Sequence, residues 1–412
     1  MVTDIIEGYK STEIGKIPSD WDLKIVEEIS SVTTGNKDTQ NKSEDGKYDF
    51  YVRSQKIEKI DSYSFDGEAV LTAGDGVGVG KVFHYVKGKF DFHQRVYKVS
   101  DFKNIDGKFF FYYFSENFMK EARKYNSKTS VDSVRRHMIT EMKIPIPPIL
   151  EQLKIVEILT VADEQIEKTE QLIEKTKELK KGLMQQLLTK GIGHSEFKET
   201  ELGSIPCEWI IVEINDVFQT IDGDRGKNYP NDKDFLSEGY CVFLDTKNVT
   251  KKGFSFKTKK FISKEKDDSL SNGKLSRNDI VMTSRGTIGN IAYYDKSIPY
   301  ENLRINSAML ILRSKAESLV YKFWIQMLRG KIIEEYIRKS QVGSAQPHIT
   351  KKSFKELKVA IPKKIEEQQK IAAILSSVDE QIETYEKEKQ KQVDLKKALI
   401  QQLLTGKLRV TV

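Results

Sequence analysis

The chain has 412 residues, a formal net charge of +7 (68 Lys and Arg against 61 Asp and Glu), 38% apolar residues and 31% charged ones. That length accommodates two or three domains, the 20 Phe and 17 Tyr exclude a mainly disordered chain, and the modest positive excess permits a nucleic-acid partner without demanding one. Two cysteines outside any metal spacing argue against a bound metal, no apolar run approaches the roughly 18 residues of a membrane span, and the opening Met-Val-Thr-Asp-Ile-Ile-Glu has no signal-peptide character, so a soluble, cytoplasmic protein without a membrane partner is expected.

In chain order, Thr12-Glu13-Ile14-Gly15-Lys16-Ile17-Pro18 leads to Trp21 and a short apolar segment. Strand-like alternation follows at Val82–Val86, Phe90–Phe92 and Arg95–Val99, then an aromatic helix over about 109–125. Polar, basic and glycine-rich loops between these elements carry Arg53, Gln55 and Lys56, then Lys81, then His93, Gln94 and Arg95, then Lys128, Thr129 and Ser130, and finally Arg135. The stretch 74–81 is not a phosphate loop, because Asp75 and Val82 stand where that motif needs Gly and Ser or Thr. It reads as a strand-connecting turn.

Residues 151–189 (EQLKIVEILTVADEQIEKTEQLIEKTKELKKGLMQQLLT) read as one helix, begun by Pro147 and Pro148 and ended by Gly191. Ile155, Leu159, Ala162, Ile166, Thr169, Ile173, Thr176, Leu183 and Leu187 alternate three and four apart, the seam of a coiled coil. Next come a second leader, Thr200-Glu201-Leu202-Gly203-Ser204-Ile205-Pro206 with Trp209, and strands at Asp279–Met282, Asn290–Tyr294 and Ala308–Leu312. A helix over about 317–338 follows. Loops in this stretch carry Arg225 and Lys227, Lys247 and Asn248, Thr283, Ser284, Arg285 and Thr287, Arg304 and Asn306, then Gln341, Ser344, Gln346 and His348. Arg, Gln and Asn suit base edges, while Lys, Ser, Thr and backbone N–H groups suit phosphates, although each of these residues also serves in ordinary turns.

The chain ends on a second helix, 367–405, with its seam at Ile371, Leu375, Val378, Ile382, Tyr385, Leu399 and Leu403, between Pro362 and Gly406. It matches the first helix at 22 of 39 positions without a gap, sharing D-E-Q-I-E and L-K-K-x-L-x-Q-Q-L-L-T. The intervening heads, about 20–147 and 208–362, are barely alike. A duplicated scaffold therefore carries two diverged heads, the organisation of a two-site reader. Each helix is a rod of roughly 60 Å at 1.5 Å per residue. The two copies can satisfy each other's seam, and antiparallel pairing would place one head at each end, related by a pseudo-twofold axis. A coiled coil between two chains remains the alternative, and Lys180, Lys389, Gln392 and Lys396 weaken the middle of the seam.

The two leaders, the D-E-Q-I-E…Q-Q-L-L helices, the closing Leu404–Val410, the run Asp279–Gly289 in the second head and Thr129–Arg135 in the first resemble the DNA specificity subunits of type I restriction-modification systems over essentially the whole chain. The resemblance implies an α+β chain with two β-rich α/β target-recognition domains joined by two long helices in an antiparallel coiled coil with pseudo-twofold repeat. Its segments would be 1–147 and 193–362 for the target domains, and 148–192 and 363–412 for the helices. The implied partners are double-stranded DNA bearing a bipartite site with a fixed spacer, two modification subunits holding S-adenosylmethionine, and a restriction subunit. The chain itself would bind no cofactor. The first head has Leu71-Thr72-Ala73-Gly74-Asp75-Gly76 where the second has Met282-Thr283-Ser284-Arg285-Gly286, so the two would read different sequences. No catalytic residue is expected: the sole Pro-Pro, Ile146-Pro147-Pro148-Ile149, lacks the flanks of an adenine methyltransferase motif, and no hydrolase motif occurs. The rival reading is a coiled-coil scaffold whose β-rich heads bind protein.

Overall fold

A computed structural model describes residues 8–125, 133–341 and 348–410. Lys128, Thr129, Ser130, Ser344, Gln346 and the side chain of Gln341 lie outside the described residues. The chain forms two compact units, Met1–Gln171 with Lys387–Val412, and Leu172–Glu386.

In the first unit, β1 (Tyr9–Thr12) and β2 (Gly15–Pro18) form the leader hairpin, followed by β3 (Asp22–Ile25), α1 (Val26–Ile29) and β4 (Ser31–Thr34). The head continues through β5 (Tyr48–Tyr51), β6 (Ile57–Ile60), β7 (Phe65–Ala73), β8 (Phe83–Phe92), β9 (Val96–Ser100), α2 (Gly107–Ala122), α3 (Arg136–Thr140) and β10 (Lys143–Ile146). Its sheet has the order β4-β9-β7-β8-β5-β6, with only the β5–β8 pair parallel. The sequence reads two strands at 82–86 and 90–92, but the structure makes them one. Gly88, at φ +114°, faces Gly67 across the ladder, so the strand bends there without breaking.

Asp106 caps α2 by accepting from the N–H groups of Lys108 and Phe109, both at 2.9 Å. Phe110, Phe114 and Phe118 recur every fourth residue on that helix and join Val70 and Val99 of the sheet in one core. β10 pairs with β3, which brings the chain out beside the leader and into α4 (Ile149–Leu187). Ile155 and Leu159 of α4 complete the core with Trp21, Leu403 and Leu404.

The second unit repeats this plan with β11 (Phe197–Thr200), β12 (Gly203–Pro206), β13 (Trp209–Glu213), α5 (Ile214–Val217) and β14 (Phe218–Asp222). Then come β15 (Cys241–Leu244), β16 (Val249–Thr250), β17 (Gly253–Phe254), β18 (Phe261–Ile262), α6 (Lys264–Ser269), β19 (Ile280–Thr283), β20 (Ile291–Tyr293), β21 (Leu303–Ile305) and β22 (Met309–Ser314). The antiparallel sheet β14-β22-β19-β20 has the strand order of β4-β9-β7-β8, and a smaller sheet, β18-β15-β21, flanks it. The helix expected over 317–338 is two, α7 (Tyr321–Leu328) and α8 (Lys331–Gln341). They part at Gly330, where an added Cβ would come within 3.1 Å of Leu188 and of the Met327 carbonyl. α9 (Lys351–Lys355), β23 (Lys358–Pro362), paired with β13, and α10 (Ile365–Leu403) end the chain.

Within the first unit the segments of α4 and α10 run in opposite directions, since Asp163 ion-pairs with Lys396 and Glu170 with Lys389. Within the second unit Lys180 reaches Asp379 at 2.6 Å, while the chain leaving α4 meets the first turn of α10 through His194 and Glu367 at 2.8 Å. Ile155, Leu159, Ile166, Ile173, Leu183, Leu187, Ile371, Leu375, Val378, Ile382, Leu399 and Leu403 are all buried or half-buried. The half-buried Lys180, Lys389 and Lys396, which interrupt the apolar pattern, are each matched by a carboxylate on the facing helix.

Candidate nucleic-acid interface

The polar loops of the first head converge where β7 ends. The N–H of Gly74 donates to the Arg95 carbonyl at 2.8 Å, and its own carbonyl accepts from Val134 at 2.7 Å. A Cβ on residue 74 would lie 2.9 Å from that Arg95 oxygen, so glycine lets the two backbones meet. The next residue, Asp75, is extended, and Gly76 turns the chain at φ +73°. Asp75 accepts from Arg53 Nη1 at 2.7 Å and from Arg95 Nη1. Side-chain exposure is 18% for Asp75 against 42% for Arg53 and 62% for Arg95, so a sheltered carboxylate holds two outward guanidiniums. Burial pushes the Asp75 carboxyl upward, but the hydrogen bonds and charges of Arg53 and Arg95 outweigh it and leave the group below the usual carboxylate range.

The exposed Gln94 donates to Asp38 at 2.8 Å, Gln55 donates to the Lys81 carbonyl at 2.9 Å, and Lys56 pairs with Glu58 at 3.1 Å. Arg135 is exposed just before α3 and follows Val134 at the same corner.

In the second head the equivalent corner is tied by Thr283. Its hydroxyl donates to the Thr287 carbonyl and accepts from the Asn290 N–H at 3.0 Å. This closes the loop 284–289, from which Arg285 and Thr287 are exposed. Ser284 donates to the Ala308 carbonyl at 2.8 Å and accepts from Ile349 at 3.0 Å, which brings the exposed His348 alongside. Arg225 reaches the Ser307 carbonyl at 3.4 Å, and Asn306 accepts from Ala308 at 2.9 Å. Asp224 fixes the loop bearing Arg225 and Lys227 by accepting backbone N–H groups, Gly226 foremost at 2.7 Å, which hold its carboxyl below the ordinary range. Arg225, Arg285, Thr287, Asn306 and His348 thus share one corner. Lys247 is exposed on a separate turn, linked to the corner loop by the Asn290 amide on the Val249 carbonyl at 2.9 Å.

Five residues expected at the surface are interior. Arg304 is 3% exposed and directs its guanidinium to the Asp267 carboxylate at 2.6 Å and to the backbone carbonyls of Asp267 and Asn272. Burial raises the Asp267 carboxyl, and Lys274 and Arg304 more than offset that, so it stays below the ordinary range. Asn248 is buried and bonds the carbonyls of Ser255 and Thr258 at 2.9 and 2.7 Å. His93 is buried, with Nδ1 accepting from the Arg95 N–H at 3.0 Å; burial first, then the charge of Arg53, hold it below the usual imidazole value. Thr283 and Ser284 are buried too, and the Thr283 hydroxyl is committed to closing its loop. His93, Thr283 and Ser284 brace the corners from behind, whereas Arg304 and Asn248 tie loops away from them, and all five side chains are buried in this structure.

The sequence signals left without a role are joints between head and helix. In the first unit the aspartate of D-E-Q-I-E, Asp163, accepts from the Tyr112 hydroxyl of α2 at 2.7 Å as well as from Lys396. In the second unit its counterpart Asp379 accepts from Gln326 of α7 at 2.8 Å and from Lys180. Both lysines come from L-K-K. The leader tryptophans donate to the glutamate that opens the repeated helix, Trp21 to Glu151 at 3.0 Å and Trp209 to Glu367 at 3.3 Å. The neighbouring Gln152 and Gln368 each donate to a proline carbonyl at 2.8 Å. The recurrence of these motifs at matching places was the signal.

Among the described residues no helix is long and apolar enough to cross a membrane. The model of the type I restriction modification DNA specificity domain matches the chain twice, over residues 18–178 and 206–394. A Methanocaldococcus jannaschii protein named for the specificity subunit of type I restriction enzyme MjaX is 31% identical, with 98% of this chain and 97% of that one covered. The MjaVIII specificity subunit of the same organism is 28% identical, covering 98% and 96%. Among solved structures, the S subunit of a type I system from M. genitalium superposes with a TM-score of 0.59 at 18% identity, covering 93% of this chain and 96% of its own. A chain from a study of complex assembly and conformational transition in a type I R-M system gives 0.58 at 18%, covering 95% and 99%. These two likenesses speak to the fold. With the specificity domain matched in both halves and full-length relatives of that one kind, the chain belongs to the type I restriction-modification DNA specificity family.

Proposed function

We propose that this chain is the non-catalytic, sequence-specific DNA-reading subunit of a type I restriction-modification complex. Its heads, within 1–147 and 193–362, each read one half of a bipartite duplex site. Its helices, within 148–192 and 363–412, pair as an antiparallel coiled coil that fixes the spacer and docks two modification subunits. Those subunits carry S-adenosylmethionine and the methylation chemistry, a restriction subunit joins them for cleavage, and the complex acts on DNA in the cytoplasm.

The observation that carries this reading is the contrast between constant and variable parts. The helix motifs recur with the same contacts, Asp163 to Lys396 and Lys180 to Asp379, positions related by the repeat offset of 216 residues. This supports a pseudo-twofold scaffold. The head corners recur as backbone but present different polar side chains, as two readers of different sequences require.

The test is selection from randomised duplexes by the purified chain, alone and with its modification subunits, at several salt concentrations. Two conserved blocks at a fixed separation, with affinity falling steeply as salt rises, are expected. A single block, or blocks at freely varying separation, would falsify the reading.

A further inference from the structure

The two head corners are the same backbone device holding opposite charges. Gly74 and Ser284 each donate to the carbonyl opening the next paired strand, at Arg95 and Ala308, both at 2.8 Å. Each accepts from a backbone N–H further along, Val134 at 2.7 Å and Ile349 at 3.0 Å. Ladder partners agree, Ala73 facing Val96 and Thr283 facing Met309. Two residues on, Gly76 and Gly286 turn at φ +73° and +71°. Asp75 and Arg285 are therefore structural equivalents, and so are Arg95 and Ala308. The first head has an acid in the corner and an arginine across from it; the second has an arginine in the corner and an alanine across.

We propose that this corner is the base-reading point of each head, and that Asp75 is a positioning residue which turns Arg53 and Arg95 into a preset pair of guanidiniums, the role Arg285 fills alone in the second head. The proposal rests on the reading of the heads as DNA readers. Two guanidiniums converging on one spot repel unless an anion lies between them, and the Asp75 carboxylate is that anion. Each arginine gives it one nitrogen, so the remaining donors of both forks face outward. Arg285 has no intramolecular side-chain partner among the described residues. An arginine fork bonds guanine O6 and N7 in the major groove, the commonest specific base contact. The chemistry implied is one or two guanines in the block read by the first head, and a guanine in the block read by the second.

A purely structural salt bridge would not choose bases, and that separates the possibilities. Selection from randomised duplexes, on the full chain, is compared for wild type, Asp75→Asn, Asp75→Glu, Arg95→Gln and Arg285→Gln, with melting followed for each. The expected result is a loss of guanine preference of tenfold or more in one block for Asp75→Asn and Arg95→Gln, partial rescue by Asp75→Glu, and a loss confined to the other block for Arg285→Gln. Should Asp75→Asn lower the melting temperature, Arg95→Gln decides, because that side chain is largely exposed. Two sharp blocks in wild type that survive Arg95→Gln and Arg285→Gln unchanged overturn the corner assignment and leave the reading of function intact. Equal weakening of both blocks by any one variant also overturns it. A wild type that selects no pair of blocks overturns the functional reading itself.

Discussion

Replacing Asp379 with Ala tests the joint between head and helix most directly. Its carboxylate accepts from Lys180 Nζ at 2.6 Å and from Gln326 Nε2 at 2.8 Å. Gln326 is 3% exposed, and its carbonyl oxygen already has no partner. Without the carboxylate, both polar ends of that amide are buried and unpaired. Orphaning a buried donor costs about 1–3 kcal/mol, and a half-exposed ion pair contributes about 0.5–1 kcal/mol after solvent screening. The expected loss is therefore about 1.5–4 kcal/mol. At about 2–4 °C per kcal/mol for a unit of this size, the melting midpoint should drop roughly 3–16 °C. The assay is thermal unfolding followed by tryptophan fluorescence, since Trp209 and Trp324 are both buried in this unit. Gln326→Leu removes the orphaned amide, so combining it with Asp379→Ala should recover part of the loss. A drop below 1 °C, or strict additivity of the two substitutions, would refute the reasoning.

Two other perturbations reach different parts of the molecule. Asp267→Ala leaves Arg304 charged, buried and unpaired, and should cost about 3–5 kcal/mol at neutral pH. The folded-state pKa of Asp267 is lowered, so its contribution is fully present above the unfolded value of about 3.9 and is lost as pH falls towards the native value. The gap between wild type and variant in urea titrations should hold from pH 7 to about 4 and narrow below that; a gap that stays constant down to pH 2 contradicts the assignment. Deleting four residues from the middle of α4 moves the seam out of step with α10 and should change the spacer between the two selected blocks. An unchanged spacer rules out the helices as its ruler.

The architecture was legible because it repeats. Proline and glycine bracket both long helices, and the alternating aromatics of β8 and β9 mark a half-buried sheet. What the sequence hid was which polar residues turn inward. Arg304 and Asn248 look like surface donors until their partners are known, and the carboxylate that pairs Arg304 lies 37 residues earlier in the chain. Residue type carries no record of such a partner. In the sequence Asp75 shows only as a mismatch to a phosphate loop, whereas in the structure its carboxylate accepts hydrogen bonds from two arginines 22 and 20 residues away. The break at Gly330 was equally hidden, since Leu188, which leaves little room for a side chain there, comes close only after folding.

The seam lysines show how a duplication can select its own pairing. The carboxylate partners of Lys180, Lys389 and Lys396 lie 199, 219 and 233 residues away, in the other copy of the helix, so the window around each lysine shows only a flaw in the apolar pattern. Aligned parallel and in register, the two copies would oppose equivalents: Asp163 to Asp379, Glu170 to Glu386 and Lys180 to Lys396. Every one of those encounters is like-charged and repulsive. Running in opposite directions, the copies instead bring Asp163 to Lys396 in one unit and Lys180 to Asp379 in the other. An all-apolar seam would bind more tightly but would tolerate either direction and several registers. Lysines placed off-centre in each copy, with an acid in the complementary half, give up some seam burial and make one arrangement attractive at both positions. The residues that weaken the hydrophobic pattern are thus the ones that specify direction, and one ancestral helix needed to acquire the pair only once for the duplicated chain to have it twice.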